Sequence, residues 1–282
     1  MKNKSNSLLK QKNFYDNKFC FLADAQGTFF IQKDPRECLS PEEFAIYFLG
    51  EPGIGSPEDK ETLLGIIKKL HLEKEAEAIM QEPNFKSYPE IKKLFYLGDR
   101  LAEEYFQKIG MDYEESQKFR GQIASKVYAL RNPEIFHELA ESNKDMNMDI
   151  ILVSQAGQYM KYAFEKLLKD SGNNNVNVVI APGLDGTRYT KMQPEFYKLL
   201  KKKYPSMLFI MVDDNTSRVD PAKQSGIYAV LYEEGKDGDK GATKLLEVSN
   251  AAIKDSVKDF LKNIKTYKPV SGKFTTASPS NE

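Results

Sequence analysis

A short apolar segment that ends in an acid is the feature that most constrains the fold of this chain. The segment Phe19–Ala23 is unbroken and rich in aromatic residues, and Asp24 follows it directly, ahead of a small loop with Gly27. Such a segment is typical of a strand buried on both faces of a parallel sheet rather than of an amphipathic helix. Asp24 is then predicted at the carboxyl edge of the sheet, where ligands bind in open α/β folds. The alternative is an ordinary acid that starts a turn.

Three later stretches also carry polar residues where a strand is predicted to end. In two of them an apolar run is followed by polar residues, and in the other a polar stretch precedes a helix. In chain order they contain Ser154 and Gln155, then Lys191, then Asp213 and Asp214. An acid, a hydroxyl, a lysine and a pair of acids, in this order on successive strand ends, resemble the motifs of the haloacid dehalogenase-like (HAD) hydrolase superfamily. The resemblance covers about half of the chain, namely the first motif and the residues from Asp149 to about Leu231.

The second half of the chain alternates between strand and helix patterns. Strands are predicted at 150–153, 177–181, 208–212 and 226–232, with helices between them and a last helix at about 254–264. This alternation predicts an α/β fold with a doubly wound parallel sheet and right-handed crossovers. The HAD resemblance implies the same architecture, a Rossmannoid core.

Between the first motif and residue 146 the pattern is helical. About six helices and no strand are predicted there, and Ser40 and Ser56, each followed by a proline and two acids, are typical helix starts. We interpret residues 38–145 as an inserted all-helical cap, as the resemblance implies; the alternative is an independent helical domain with no role in the site. The other expected units are a polar lead-in at 1–17, the α/β core at 18–37 and 146–265, and a flexible tail at 266–282.

Composition narrows the functional classes. The chain has 282 residues with 41 basic and 41 acidic side chains, so no net charge draws it to nucleic acid. Cys20 and Cys38 are its only cysteines, and Cys20 lies in the predicted buried strand, which indicates free thiols in a reducing compartment. We expect no transmembrane segment and no Sec signal peptide. The expected location is the bacterial cytoplasm, or export without a Sec signal as an effector.

The resemblance implies a role for each motif residue. Asp24 is the nucleophile that takes up a phosphoryl group, and Thr28 stabilises the loop around it. Ser154 hydrogen-bonds the transferring group, and Lys191 neutralises charge on the nucleophile and on the phosphoryl oxygens. The residues themselves leave two alternatives open, a helix-capping role for Ser154 and an ordinary surface position for Lys191.

The resemblance also implies Mg²⁺ as a cofactor. Asp213 and Asp214 would bind the ion together with Asp24, and the backbone carbonyl of Gln26 would be a further ligand. The ion would screen the repulsion between an anionic nucleophile and an anionic substrate. The alternative for the pair of acids is a solvated turn.

Two residues depart from the pattern of the superfamily. Gln26 stands where its phosphatases carry a second acid, which protonates the leaving group and then activates water, and an amide can do neither. The dehalogenase and phosphonatase branches also lack that acid. Arg218 stands where many members place a further acid, and its guanidinium is predicted either to bind a substrate anion or to pair with Asp220. Gln155 is a second candidate for substrate binding.

Three functions of different classes are consistent with these residues. The first is a Mg²⁺-dependent, phosphatase-type hydrolase that acts on a small phosphorylated or other anionic substrate through Asp24, with activity weakened by Gln26. The second is a catalytically degenerate protein that binds a partner protein through the helical cap. The third is a metal-independent dehalogenase-type or C–P hydrolase. We expect the hydrolase of the first hypothesis.

Overall fold

The computed structural model of the chain describes residues 18–51, 56–181, 189–204, 208–233 and 241–264. The predicted lead-in at 1–17 and the predicted tail at 266–282 lie outside the described residues. Within the described ranges, no helix is long and apolar enough to cross a membrane.

A parallel sheet of five strands forms the centre of the molecule, in the spatial order β5-β4-β1-β6-β7. Its strands are β1 (Lys18–Asp24), β4 (Asn147–Ser154), β5 (Val176–Ile180), β6 (Leu208–Asp213) and β7 (Tyr228–Leu231). All neighbouring strands run parallel. The strand that carries Asp24 is central, and the strands that carry Ser154 and Asp213 are its two neighbours. The predicted doubly wound parallel sheet is confirmed.

Helices cover both faces of the sheet and form the insertion. They are α1 (Pro35–Cys38), α2 (Pro41–Gly50), α3 (Pro57–Lys69), α4 (Glu73–Gln81), α5 (Pro83–Ser87), α6 (Glu90–Lys108), α7 (Tyr113–Val127), α8 (Ile135–Ser142), α9 (Tyr159–Asp170), α10 (Pro194–Lys203), α11 (Thr216–Gln224) and α12 (Gly241–Ile264). The predicted helix starts at Ser40 and Ser56 are confirmed, because each serine forms a capping box with the acid three residues later. Helix α12 begins earlier than predicted, and its Leu245 also packs in the core.

Side chains of the sheet alternate between two apolar layers, which explains the unbroken apolar run of β1. Phe21 and Ala23 point into one layer, and Cys20 and Leu22 point into the other. Helices α8, α9 and α12 complete the first layer, and α10 and α11 complete the second. Because both faces of the sheet are covered, its carboxyl edge is where polar groups of the strands can meet.

Among the described residues of the insertion, all regular elements are helices except one strand, so the prediction of an all-helical cap is wrong at this point. The strand β3 (Tyr128–Leu130) pairs antiparallel with β2 (Phe30–Gln32), which follows the Asp24 loop. A strand of three residues is too short to show the alternation by which strands are recognised. Helix α7 then packs on α9 of the α/β core, where a Cβ at Gly121 would lie 2.6 Å from the Cβ of Tyr162. The division into cap and core at residues 38 and 145 stays a prediction.

Gly121→Ala is expected to lower the free energy of unfolding by about 1–3 kcal/mol, because the added methyl group overpacks the contact between α7 and α9. The new Cβ would also lie 2.8 Å from the backbone oxygen of Tyr159, so the two helices would have to separate. Gly65→Ala in α3 is the control, because a Cβ there meets no atom within 4 Å and alanine is favoured in helices by about 1 kcal/mol. Urea denaturation measures both variants. Equal stability of the two would contradict the close packing.

Candidate active site

The carboxylate of Asp24 is buried at the carboxyl edge of the sheet and is held on both oxygens. The hydroxyl of Thr28 donates to Oδ2 at 3.1 Å, and the ammonium of Lys191 donates to Oδ1. Thr28 can reach back because the loop turns tightly at Gly27, whose φ of +84° lies in the left-handed region. A side chain at Gly27 would also collide with the carboxylate of Asp214. These contacts are what the predicted role of Thr28 in stabilising the loop requires.

Lys191 is fully buried, so the surface position considered for it is excluded. Its Nζ has three acceptors, namely Oδ1 of Asp24, Oδ2 of Asp213 at 3.1 Å and the carbonyl oxygen of Val153 at 3.4 Å. An ammonium group has three N–H donors, and this number of acceptors matches it. The lysine therefore joins the carboxyl ends of β1, β4 and β6.

Strand register brings Asp213 beside Asp24. Ala23 pairs with Val212, and each acid follows directly on its own strand. Asp213 is fully buried and its Oδ1 accepts a backbone N–H at 3.0 Å, which excludes a solvated turn for this residue, whereas Asp214 is partly exposed. One carboxylate oxygen from each of the three acids lies within 4.8 Å of the others. The predicted acidic cluster is present.

Arg218 in α11 directs its guanidinium into this cluster. Its Nη1 lies 3.5 Å from Oδ1 of Asp24, 3.5 Å from Oδ1 of Asp213 and 3.6 Å from Oδ1 of Asp214. At these distances the contacts are ion pairs rather than direct hydrogen bonds. Pairing with Asp220, one of the two predictions for Arg218, is wrong, because the described part of the chain places the guanidinium among the three other acids.

Burial and the nearby positive charges have opposite effects on the acids of this cluster. Burial raises the pKa of Asp24, Asp213 and Asp214 above the usual value, because a buried carboxylate loses its hydration. The positive charges of Lys191 and Arg218 act in the opposite direction on each of these groups. Removal of either cation would leave three acids facing a single positive charge, which is unfavourable for the buried carboxylates.

The acids suit a Mg²⁺ ion in kind, since carboxylate oxygens are the ligands that it prefers. The position of Arg218 does not suit the ion, because Nη1 lies no further than 3.6 Å from an oxygen of every acid. With Arg218 in this position, the residues do not fit an ion shared by the three acids. Binding of Mg²⁺ would require the guanidinium to move away.

Three further predicted residues lie next to the acids. Ser154 is buried and its Oγ accepts the backbone N–H of Ala156 at 3.1 Å; this is not the helix cap of the alternative, because the next helix has Gln158 at its N-cap and no side-chain cap hydrogen bond. Gln26 donates from Nε2 to Oη of Tyr128 at 3.0 Å. Gln155 has a buried Oε1 that accepts no hydrogen bond from the residues that the structure describes. The roles predicted for these side chains, and for the carbonyl of Gln26 as a metal ligand, stay predictions.

A cavity of about 510 Å³ opens beside these residues, and this volume is typical of a small-molecule site. Its polar wall is formed by Gln26, Gln155, Arg218, Glu51, Asp99 and Tyr159. The two candidates for substrate binding therefore line one cavity. Glu51 and Asp99 come from the helical insertion, so the insertion contributes directly to this wall.

Polar side chains of the insertion that no sequence pattern predicts, Glu51, Asp99 and Arg120, meet Tyr159 beside the cavity. Tyr159 donates to Oε1 of Glu51 at 2.8 Å, and the guanidinium of Arg120 lies 4.2 Å from the ring centre of Tyr159 and 3.1 Å from Oδ1 of Asp99. Burial, chiefly, raises the pKa of Glu51. These residues lie far apart in the sequence, so no local pattern marks them. The position of Arg120 three and four residues before the apolar Ile123 and Ala124 is the signal that helical periodicity offers.

No protein-family model matches the chain, and no curated protein matches it. Solved structures of similar fold include an L-2-haloacid dehalogenase from Xanthobacter autotrophicus, with 15% identity, 78% of this chain and 79% of that chain covered, and a TM-score of 0.38. They also include a β-phosphoglucomutase from Pyrococcus sp. strain ST 04, with 19% identity, 79% of this chain and 90% of that chain covered, and a TM-score of 0.35. Both are members of the HAD superfamily, which the sequence resembles. The similarity is distant, and the activities of those enzymes are not assigned to this protein.

Lys191→Met is expected to lower the free energy of unfolding by about 3–5 kcal/mol, because Asp24 and Asp213 would stay buried after losing their shared partner. Lys198→Met is the control, since Lys198 is 65% exposed and pairs at 3.7 Å with a half-exposed acid. Loss of such a surface pair costs at most about 1 kcal/mol. Chemical denaturation of both variants measures the difference. A Lys191 variant as stable as the control would contradict the buried ion pairs.

Proposed function

We propose that this protein is a hydrolase in which Asp24 attacks a small phosphorylated or similar anionic substrate and forms a covalent intermediate. The observation that carries the proposal is the contact of Asp24 with the fully buried ammonium of Lys191, which also contacts Asp213. A buried ion pair is a weak source of stability compared with apolar residues of similar volume. Such a pair suits a site that must hold an anionic nucleophile and stabilise the negative charge that a substrate brings.

The reaction takes two steps. A carboxylate oxygen of Asp24 forms a bond to the phosphorus of the substrate, and the bond from phosphorus to the leaving oxygen breaks, so the leaving group departs with the electron pair. Water then attacks the phosphorus of the aspartyl phosphate and gives a proton to solvent, and the bond from phosphorus to Asp24 breaks. Lys191 limits the charge on the reacting carboxylate, and Ser154 is proposed to donate its hydroxyl hydrogen to a phosphoryl oxygen.

Proton transfer is the weak part of this mechanism. Gln26 cannot exchange a proton, and its amide donates to the hydroxyl of Tyr128. Burial raises the pKa of Tyr128 to about 12, so this tyrosine is not a base near neutral pH. The missing acid–base help costs about 10²–10⁴-fold in rate. Substrates with good leaving groups, such as aryl or acyl phosphates, are therefore expected to react best.

The cavity supports a small substrate that carries both an anionic group and hydrogen-bond donors. Arg218 brings positive charge to the wall, whereas Glu51 and Asp99 bring acidic groups. The buried Oε1 of Gln155 needs a donor, which a bound molecule would supply. We propose that the helical insertion is a cap whose acids select the part of the substrate that is not transferred.

The positive charge beside the three acids could come from Mg²⁺ or from the guanidinium of Arg218. Mg²⁺ is the cofactor predicted from the sequence, with Asp24, Asp213, Asp214 and the backbone carbonyl of Gln26 as its ligands, and the two steps above are written without it. The position of Arg218 among these acids favours a second candidate, metal-independent hydrolysis, which the sequence analysis held open for dehalogenase-type and C–P hydrolases.

Asp24→Asn is expected to reduce hydrolysis of p-nitrophenyl phosphate to background, because an amide does not form the covalent intermediate. Asp170→Asn is the control, since that acid is exposed and pairs with Lys166 on the same helix. Steady-state rates measure turnover, and mass spectrometry of the acid-quenched wild type tests for one added phosphoryl group. If the wild type is inactive on aryl and acyl phosphates and gains no phosphoryl group, the partner-binding alternative replaces this proposal.

Gln26→Asp is expected to raise kcat on alkyl phosphates by up to about 10²-fold and on aryl phosphates by less, because alkoxide leaving groups need the proton that a carboxyl group supplies. Gln32→Asp is the matched control: Gln32 donates at 3.0 Å to Tyr47, which contacts Tyr128, and it does not line the cavity. Comparison of kcat on the two substrate classes measures the effect. Equal gains on both classes would contradict a proton-transfer role for this position.

A further inference from the structure

We infer that Arg218 is the resident cation of the acidic cluster: its guanidinium, in place of a divalent metal ion, holds Asp24, Asp213 and Asp214 together and faces the substrate. This inference deepens the proposed function and rests on it for the activity measurement alone. Binding of metal ions, which needs no turnover, tests the inference independently.

One nitrogen of Arg218 is shared by all three acids. A single nitrogen, Nη1, lies 3.5 Å, 3.5 Å and 3.6 Å from one oxygen of each acid. An arginine that pairs with one carboxylate typically forms two parallel, shorter hydrogen bonds with it. Nearly equal distances to three acids are instead the arrangement expected of one positive charge that all three share.

The backbone also holds Arg218 in place. Asn215 caps α11 by accepting the N–H of Ser217 at 2.9 Å, and the carbonyl oxygen of Arg218 accepts the hydroxyl of Tyr197 at 3.0 Å. The next residue, Val219, is buried in the second apolar layer. The guanidinium is therefore delivered to the cluster from an anchored helix, and it is not a solvated surface group.

The net charge of the cluster also disfavours a divalent ion. Three acids face Lys191 and Arg218, so the described cluster carries one net negative charge. A divalent ion added to it would make the cluster positive and would lie beside a guanidinium. Arg218 therefore excludes the ion for as long as it occupies this position.

A guanidinium can also supply part of what a metal ion would supply. It neutralises the acids around the nucleophile, and it has five N–H donors, of which those on Nη1 face the acids. The side chain is 25% exposed and lines the cavity, so its other donors are open to an anionic group of the substrate. One residue thus orients Asp24 and contacts the substrate.

The test compares metal binding by four chelator-dialysed proteins, namely the wild type, Arg218→Ala, Arg218→Lys and Arg100→Ala. Arg100 is the matched control, because it also faces three acids, Glu82, Glu103 and Glu104, at 3.6, 2.7 and 3.9 Å, but outside the cavity wall. Calorimetric titration with MgCl₂ and with MnCl₂ measures affinity. We expect weak binding by the wild type and by Arg100→Ala, and an affinity for Mn²⁺ about tenfold higher or more in Arg218→Ala, because one nearby positive charge is gone.

Thermal unfolding with and without MnCl₂ gives a second measurement. Arg218→Ala is expected to unfold at a lower temperature than the wild type and to regain more stability from Mn²⁺, whereas Arg218→Lys lies between them. Wild-type affinity for Mg²⁺ or Mn²⁺ equal to that of Arg218→Ala would overturn the inference. If Arg218→Ala does not fold, the titrations of the wild type and of Arg218→Lys decide, and micromolar binding by the wild type counts against the inference.

The activity measurement separates the inference from the proposed function. Turnover of an aryl phosphate by the wild type is expected to persist in excess EDTA and to fall in Arg218→Ala. If turnover exists and EDTA abolishes it, the proposed function stands and the inference fails. If no turnover exists on any phosphate, but Arg218→Ala gains affinity for Mn²⁺, the inference stands and the proposed function fails.

Discussion

The buried ammonium of Lys191 is the interaction on which the rest of the site depends. It contacts Asp24, Asp213 and a carbonyl oxygen of β4, so it ties together the ends of the three central strands. Like-charged carboxylates do not stay ionised side by side in a poorly hydrated place unless a cation lies between them. Without this lysine, Arg218 alone would face three acids, and the buried carboxylate of Asp24 would lose the cation that it contacts directly.

The second cation changes what chemistry this edge can support. Arg218 contacts the same acids from α11, so the cluster is nearly neutral before any ligand arrives. Gln26, by contrast, is a neutral donor bound to Tyr128 and contributes no charge or proton. In the function proposed above, these charges stabilise an anionic nucleophile and an anionic substrate, and no described group at Gln26 protonates the leaving group. The proposal therefore expects covalent catalysis on substrates with good leaving groups.

Sequence patterns predict the central strands of the sheet and one buried residue of the site, but not a short strand of the insertion. The apolar run before Asp24 predicts a central buried strand, and the matching runs before Ser154 and Asp213 predict its two neighbours, all of which the structure confirms. The place of Lys191 before a helix start predicts a site position, and the structure buries this side chain completely. The strand β3 was missed, because three residues carry no periodic signal and pair only through contacts made about a hundred residues apart.

The sequence by itself determined the order of the strands' polar ends, because a period of hydrophobicity is a local property and parallel strands place their carboxyl ends at one edge. Only the tertiary structure decided where side chains from distant elements meet. The guanidinium of Arg218 lies among three acids rather than on Asp220, and Glu51, Asp99 and Tyr159 share one cavity wall. These contacts depend on how the helices pack across the sheet, and the pattern of residues along the chain does not give the distances between side chains of separate helices.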